Sequence, residues 1–241
     1  MDCPKCSFHQ ADQNTECPLC GIVFEKYLKL HETLSRINKS AAPTEEAGLL
    51  KTYFFFTKNN INPFALAGRG ILLLGLTLWS FFFLTGSIAG NDSGKSFMHM
   101  INLPFHEAGH IIFMPLGKFF SSIGGTIVQL LIPLICLITF IVKTKDPFGA
   151  SVALWWHGQN YLDIAPYIND ARTLKLVLLG GYEGSFTPYG YHDWEYILTE
   201  LGLLRYDHSI AMFSFIIGSV LMITAIAWGL YMLYLQYKSL R

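Results

Sequence analysis

The amino-acid sequence predicts a mainly α-helical, polytopic membrane protein with about four to five membrane segments, preceded by a small cysteine-rich domain. Three observations predict this class. Of the 241 residues, 52% are hydrophobic and only 14% are charged, whereas soluble domains carry about 25% charged residues. Long apolar runs fill the chain beyond residue 70, and four of the five cysteines lie within the first 20 residues. The net charge is zero, which does not favour nucleic acid as a partner.

The first predicted domain, residues 1–27, is built on two C-x-x-C pairs separated by ten residues. Each pair presents two thiolates to one ion, and two pairs complete a tetrahedral zinc site, here made by Cys3, Cys6, Cys17 and Cys20. A unit this small cannot bury enough apolar surface to fold alone, so a structural zinc ion supplies the folding free energy. Disulfides are the alternative, which a cytoplasmic N-terminus disfavours.

This unit resembles a zinc ribbon. Its closed set of four thiolates argues against catalysis, and its few basic residues argue against nucleic-acid binding. We expect it either to recruit a cytoplasmic protein partner or present a substrate, or to act as a structural cap.

An amphipathic helix and a linker are predicted over residues 28–63. Residues 22–38 space Phe24, Tyr27, Leu28 and Leu34 at helical intervals. Residues 39–48 are small and polar and include a proline, as in a linker. The N-terminus lacks a basic stretch followed by an apolar one, so we expect no cleaved signal peptide and an N-terminus on the cytoplasmic side.

Residues 64–241 form the predicted membrane domain, in a multi-pass protein of the cell inner (plasma) membrane. Residues 71–89, 123–142 and 210–235 are clear apolar spans, long enough to cross a bilayer core of about 30 Å. Residues 97–116 and 148–168 are apolar but carry ionisable side chains. Lys143 and Lys145 lie on the cytoplasmic side if residues 97–122 enter and leave the membrane on one side. The positive-inside rule favours this arrangement.

The first polar segment contains the sequence His106-Glu107-Ala108-Gly109-His110. On a helix, residues four apart share a face, so both imidazoles can bind one zinc ion. Glu107 lies close enough to take a proton from a water on that ion, whose pKa zinc lowers to about 7. Ionisable groups at membrane depth are costly and are usually functional. A pair of core histidines hydrogen-bonded to their neighbours is the structural alternative.

A catalytic zinc ion usually has three protein ligands and one open position. Asp163, in the second polar segment, is the preferred third ligand, because it would otherwise be an unpaired carboxylate in apolar surroundings. The competing candidates are Asp170, His157 and the pair His192-Asp193. Asn160, one helical turn before Asp163, is a candidate for binding substrate or orienting Asp163, or for a simple contact between helices.

These motifs resemble the site-2 protease family of intramembrane zinc metalloproteases, in particular its small bacterial branch. The resemblance covers residues 97–170: HEAGH, then two glycines followed by an apolar span with Gln129, then N-x-x-D-x-x-P. It implies that His106, His110 and Asp163 bind the catalytic zinc and that Glu107 is the general base. Ile164 stands where the family usually has glycine.

The sequence HDWEY at 192–196 lies in a polar loop before the last span. It is predicted either to start a helix, with Asp193 as N-cap and Trp194 and Tyr196 as interfacial anchors, or to form a lid or a contact to the zinc site.

The predicted function is an integral-membrane zinc metalloprotease with one catalytic and one structural zinc ion. Its partners would be membrane lipid and a transmembrane or membrane-associated protein substrate. The alternative is a non-proteolytic zinc-dependent sensor or scaffold that recruits a partner through the ribbon. A metal transporter ranks last, because five short segments with one polar site make a poor pathway.

Overall fold

The computed structural model describes residues 1–40, 48, 52–57 and 62–240, with side chains described outside residues 34–40. The described residues are mainly helical and contain no strands, only isolated β-bridges. The chain divides into two compact units, Met1–Thr52 and Tyr53–Arg241. Residues 41–47, which carry most of the predicted linker, lie outside the described residues.

The first unit repeats one turn geometry at each C-x-x-C pair. In the first, the Cys3 amide donates to Phe8 O (3.0 Å) and the Ser7 amide to Cys3 O (2.9 Å). Cys17, Gly21 and Ile22 repeat this pattern. Helix α1 (Phe24–Ser40) follows, and its first side chain, Phe24, packs against Cys3 and Cys17. The apolar support for the cysteine cluster is therefore one aromatic ring, Ile22 and the thiols themselves.

In the described residues, the second unit contains six helices of eight residues or more. They are α2 (Pro63–Thr85), α3 (Phe97–Phe113), α4 (Lys118–Thr139), α5 (Pro147–Asn169), the short α6 (Asp193–Glu200) and α7 (Asp207–Lys238). A π-helical turn, Phe140–Thr144, extends α4. Pro63 and the side chain of Asn62, which accepts from the Phe64 amide, start α2 eight residues before the predicted span.

Three of these segments are long and apolar enough to cross a membrane: Pro63–Thr85, Lys118–Thr144 and Leu204–Lys238. They coincide with the three clear apolar runs of the sequence. Helices α3 and α5 are not among them. With 17 residues, α3 is shorter than the roughly 20 that a full crossing needs, so a count of four to five segments stays a prediction.

Helix α5 lies at the centre of the second unit. Fifteen of its 23 residues are buried, and it packs against α4 and α7. Phe83, Trp155, Leu162 and Met222 form the main apolar cluster. Because α5 is largely enclosed by protein, its polar side chains contact other groups of the protein.

Helices α3 and α4 approach each other closely through glycines. A Cβ atom at Gly109 would lie 2.2 Å from the carbonyl oxygen of Gly124, so no other residue fits at position 109 without moving a helix. This close contact brings the HEAGH face of α3 against the start of α4, where the candidate site lies.

Candidate metal centre

The two motif histidines share one face of α3, as the spacing predicts. Their ring centroids are 4.8 Å apart. The Nδ1 atom of His110 is 2.8 Å from the carbonyl oxygen of Ser121, and the Nδ1 atom of His106 is 3.0 Å from Oε1 of Gln129. Each Nδ1 atom therefore faces an acceptor and carries the proton, which leaves the Nε2 lone pairs available for a metal ion.

Asp163 determines the orientation of Gln129 and through it the tautomer of His106. Gln129 Nε2 is 3.0 Å from Asp163 Oδ2, and an ionised carboxylate only accepts hydrogen bonds. The amide nitrogen of Gln129 must therefore face Asp163, so the amide oxygen faces His106 Nδ1. Asp163 acts on His106 through Gln129, and its carboxylate is not the one beside the Nε2 atoms.

The carboxylate beside the two Nε2 atoms belongs to Asp193. Its Oδ2 is 3.5 Å from His106 Nε2 and 3.3 Å from His110 Nε2. Three ligands placed tetrahedrally about 2.1 Å from one zinc ion lie about 3.4 Å from each other. The two distances from the Asp193 oxygen are therefore close to those between ligands of one zinc ion.

Tyr167 fixes the position of Asp193. The Tyr167 hydroxyl donates to Asp193 Oδ2 (3.1 Å) and accepts from the Asp193 amide (3.0 Å). Burial raises the pKa of the Asp193 carboxyl, but its interactions with His106 and His110 outweigh burial and lower this pKa. The positive charge of an ion held between these three residues would likewise favour the ionised carboxylate.

Gly125 supplies the space that an ion between these ligands requires. A Cβ atom at this position would lie 2.8 Å from Nε2 of both His106 and His110. The backbone of α4 thus passes directly beside the two ligand atoms, and only glycine leaves the volume between them open. The residues present fit a metal ion.

Glu107 completes the motif. One carboxylate oxygen of Glu107 and one ring nitrogen each of His106 and His110 lie within 4.8 Å of one another. Glu107 and the three candidate ligands line one cavity of about 400 Å³, a size typical of small-molecule and peptide sites. The arrangement offers a metal ion, a neighbouring carboxylate and room for a substrate.

The other residues singled out from the sequence lie elsewhere. Asp163 is bound by His99, Asn102 and Gln129. His157 is hydrogen-bonded through Nδ1 to Leu130 O (3.0 Å). Asn160 is fully buried, donates to Trp156 O, and does not line the cavity. The structure thus brings Asp193, and not Asp163, beside the Nε2 atoms of the two histidines, and Asn160 and His157 do not line the cavity.

Asp170 and His192 form a separate buried pair behind the site. His192 is the N-cap of α6, where Nδ1 accepts from the Glu195 amide (3.2 Å), and its Nε2 is 3.6 Å from Asp170 Oδ2. Burial raises the pKa of Asp170, but the nearby His192 ring and hydrogen bonds from Thr173 and two backbone amides hold the pKa below its usual value. HDWEY thus begins a helix, with His192 and not Asp193 as its N-cap, and it also brings Asp193 to the two motif histidines.

The four N-terminal cysteines form a second candidate metal centre. The Sγ atoms of Cys3 and Cys20 are 3.6 Å apart, and those of Cys6 and Cys17 are 3.7 Å apart. Thiolates placed tetrahedrally about 2.3 Å from one zinc ion lie about 3.8 Å apart. All four cysteines are free thiols, so the geometry favours a metal site over disulfides.

Comparison with known protein families, with curated proteins and with solved structures finds no match to this chain.

Proposed function

We propose that the protein is an integral-membrane zinc metalloprotease that cleaves membrane-associated protein substrates, with the ion held by His106, His110 and Asp193. The observation that carries the proposal is the approach of the Asp193 carboxylate to the Nε2 atoms of both histidines, at the spacing of a zinc site. A three-ligand set leaves a coordination position open, as catalytic zinc sites do.

The bound ion would polarise the scissile carbonyl and activate a water molecule. Glu107, adjacent to His106 in the sequence and on the cavity wall, takes the proton of the attacking water and returns it to the leaving amine. Gln129 and the Ser121 carbonyl hold the imidazoles in the tautomer that binds metal, and Tyr167 holds the carboxylate.

The setting of the site supports a substrate at the membrane. Helices α3 and α5 pack among segments that are long and apolar enough to span a bilayer. The cavity wall includes the apolar residues 176–179 between α5 and α6, of which Val177 and Leu179 are about two-thirds exposed. We place the protein in the cell inner membrane with the N-terminus cytoplasmic, where the four-thiolate unit recruits a protein partner.

The first experiment compares two carboxylate variants. Zinc is counted in detergent-purified wild-type protein, in Asp193→Asn and in Asp163→Asn. We expect two zinc ions per chain in wild type and in Asp163→Asn, and one in Asp193→Asn. If Asp163→Asn loses one zinc ion and Asp193→Asn keeps both, then Asp163 and not Asp193 is the third ligand.

The second experiment tests the reaction itself. Wild type and Glu107→Gln are incubated with labelled casein and with a labelled single-span test helix in detergent. We expect cleavage by wild type only, with equal zinc content in both. Equal cleavage by the two proteins would exclude Glu107 as base. Zinc binding without cleavage of either probe would instead favour the zinc-dependent sensor or scaffold.

A further inference from the structure

A second polar cluster lies in the same cavity, centred on Asp163. Its carboxylate accepts from Asn102 Nδ2 (3.0 Å), Gln129 Nε2 (3.0 Å) and His99 Nδ1 (3.1 Å). The side chain of Asp163 is only 1% exposed. Trp156 donates to Asn102 Oδ1 (2.9 Å), which turns the Asn102 amide nitrogen toward Asp163. The carboxylate is thus held by donors on three sides.

His99 is the one member of this cluster with a substantial exposed surface. Its side chain is 36% exposed and lines the cavity together with His106, Glu107 and His110. Nδ1 is engaged by Asp163, which fixes the ring. In the part of the chain that the structure describes, no hydrogen-bond partner is found for His99 Nε2. The cavity therefore contains a rigidly held imidazole with one free nitrogen.

The position of His99 along α3 excludes it from the metal centre. It precedes His106 by seven residues, two helical turns on the same face. At 1.5 Å per residue, it lies about 13 Å along the axis from the midpoint of the two motif histidines. This separation is too long for ligation or for proton transfer to the cleaved bond. The distance of about 13 Å is the length of about four residues of an extended chain, at about 3.3 Å per residue.

We propose that His99 is a substrate-binding residue, which hydrogen-bonds through Nε2 to a backbone amide of an extended substrate about four residues from the cleaved bond. Asp163 is its positioning residue. The inference rests on the proposed function and adds a binding site to it. An extended backbone offers both a C=O and an N–H, so the imidazole binds it as donor or as acceptor. A helical substrate would have these groups occupied by its own hydrogen bonds, so the site selects an unwound segment.

The test uses three hydroxamates that bind zinc directly. Acetohydroxamate reaches only the metal. A tetra-alanyl hydroxamate and a succinyl hydroxamate coupled to tetra-alanine extend four residues to either side. Dissociation constants are measured by titration calorimetry on zinc-loaded wild type, His99→Ala and His99→Gln. The control is Met100→Ala, the next residue on the same helix, which is 64% exposed and does not line the cavity.

We expect His99→Ala to weaken one of the two peptide hydroxamates by about three- to ten-fold, the effect of one hydrogen bond. Acetohydroxamate affinity and zinc content should not change, and Met100→Ala should match wild type with all three probes. His99→Gln, whose amide can also form a hydrogen bond, should recover part of the affinity for the peptide hydroxamate. It replaces His99→Ala in the comparison if His99→Ala does not fold.

Two results would overturn the inference, and they differ. If both peptide hydroxamates bind the His99 variants as tightly as wild type while acetohydroxamate also binds, only the role of His99 is refuted. If wild type binds no zinc at His106 and His110, or zinc-loaded wild type binds no hydroxamate, the proposed function fails and this inference fails with it.

Discussion

Replacing Gly125 by alanine tests whether a metal ion lies between the two histidines. The added Cβ atom would sit 2.8 Å from Nε2 of His106 and of His110. Favourable contacts of carbon begin at about 3.5 Å, so each ring must withdraw by about 0.7 Å. Zinc–ligand distances tolerate changes of only about 0.2 Å. The rings therefore cannot keep both their ligand positions and their contact distance to the new methyl group.

We expect Gly125→Ala to lower zinc affinity at this site at least ten-fold, within the 10- to 100-fold range seen when groups around metal ligands are changed. The assay titrates a chelator against purified protein and counts retained zinc. Wild type should hold two ions at a chelator concentration where Gly125→Ala holds one. Gly75→Ala is the control, because nothing lies within 4 Å of a Cβ atom there.

Thermal unfolding in excess chelator separates metal loss from misfolding. Metal-free wild type and metal-free Gly125→Ala should unfold at similar temperatures if the methyl group acts on the ligands. Two zinc ions of wild-type affinity in Gly125→Ala would refute the placement of the ion between the two Nε2 atoms.

Three further predictions concern the surroundings of the two metal centres. Tyr167→Phe removes the hydroxyl that both donates to and accepts from Asp193, and we expect about ten-fold weaker zinc binding by chelator titration; wild-type affinity would show that Asp193 needs no such support. Cys17→Ser should empty the ribbon site, reducing zinc from two ions to one and exposing residues 1–40 to limited proteolysis while the membrane unit stays intact; equal proteolysis in both proteins would contradict a structural role for that ion. Because the pKa of Asp170 is lowered in the folded protein, its stabilisation is present above the ordinary carboxyl pKa of about 3.9 and is lost as the pH falls through the lower folded value. Hydrogen exchange at the Lys175 and Leu176 amides, which bond to Asp170, should therefore be faster in Asp170→Asn than in wild type at pH 7, with the difference vanishing in strong acid.

The local parts of the site could be predicted from the sequence because helix geometry fixes them. The i, i+4 spacing of His106 and His110 determines a shared face whatever surrounds it. The four cysteines lie so close in sequence that a single metal ion can bind all of them. The start of α2 was also encoded locally, in the Asn62-Pro63 cap, although hydropathy alone placed the span eight residues later.

The carboxylate that lies beside the motif histidines could not be predicted from the sequence, because a buried carboxylate can be satisfied either by a metal ion or by hydrogen-bond donors. The sequence favours Asp163 as a metal ligand, because an unpaired carboxylate in apolar surroundings needs a partner. The amides of Asn102 and Gln129 and the His99 ring satisfy that need without an ion. The sequence offers Asp193 only within the competing pair His192-Asp193 or as a helix N-cap, and nothing local in HDWEY reveals that Tyr167, 26 residues earlier, holds it in place.

The two metal centres differ in the property that decides where chemistry can occur. The ribbon offers four thiolates at mutual distances that a single zinc ion fills completely, so no position remains for water or substrate. The second unit offers three candidate ligands, an adjacent carboxylate and a cavity. We therefore expect a reaction that requires an exchangeable ligand to take place in the second unit, whatever the four-cysteine unit binds. Loss of the ribbon ion should change partner recruitment or substrate delivery, whereas loss of the ion at His106 and His110 should abolish bond cleavage itself.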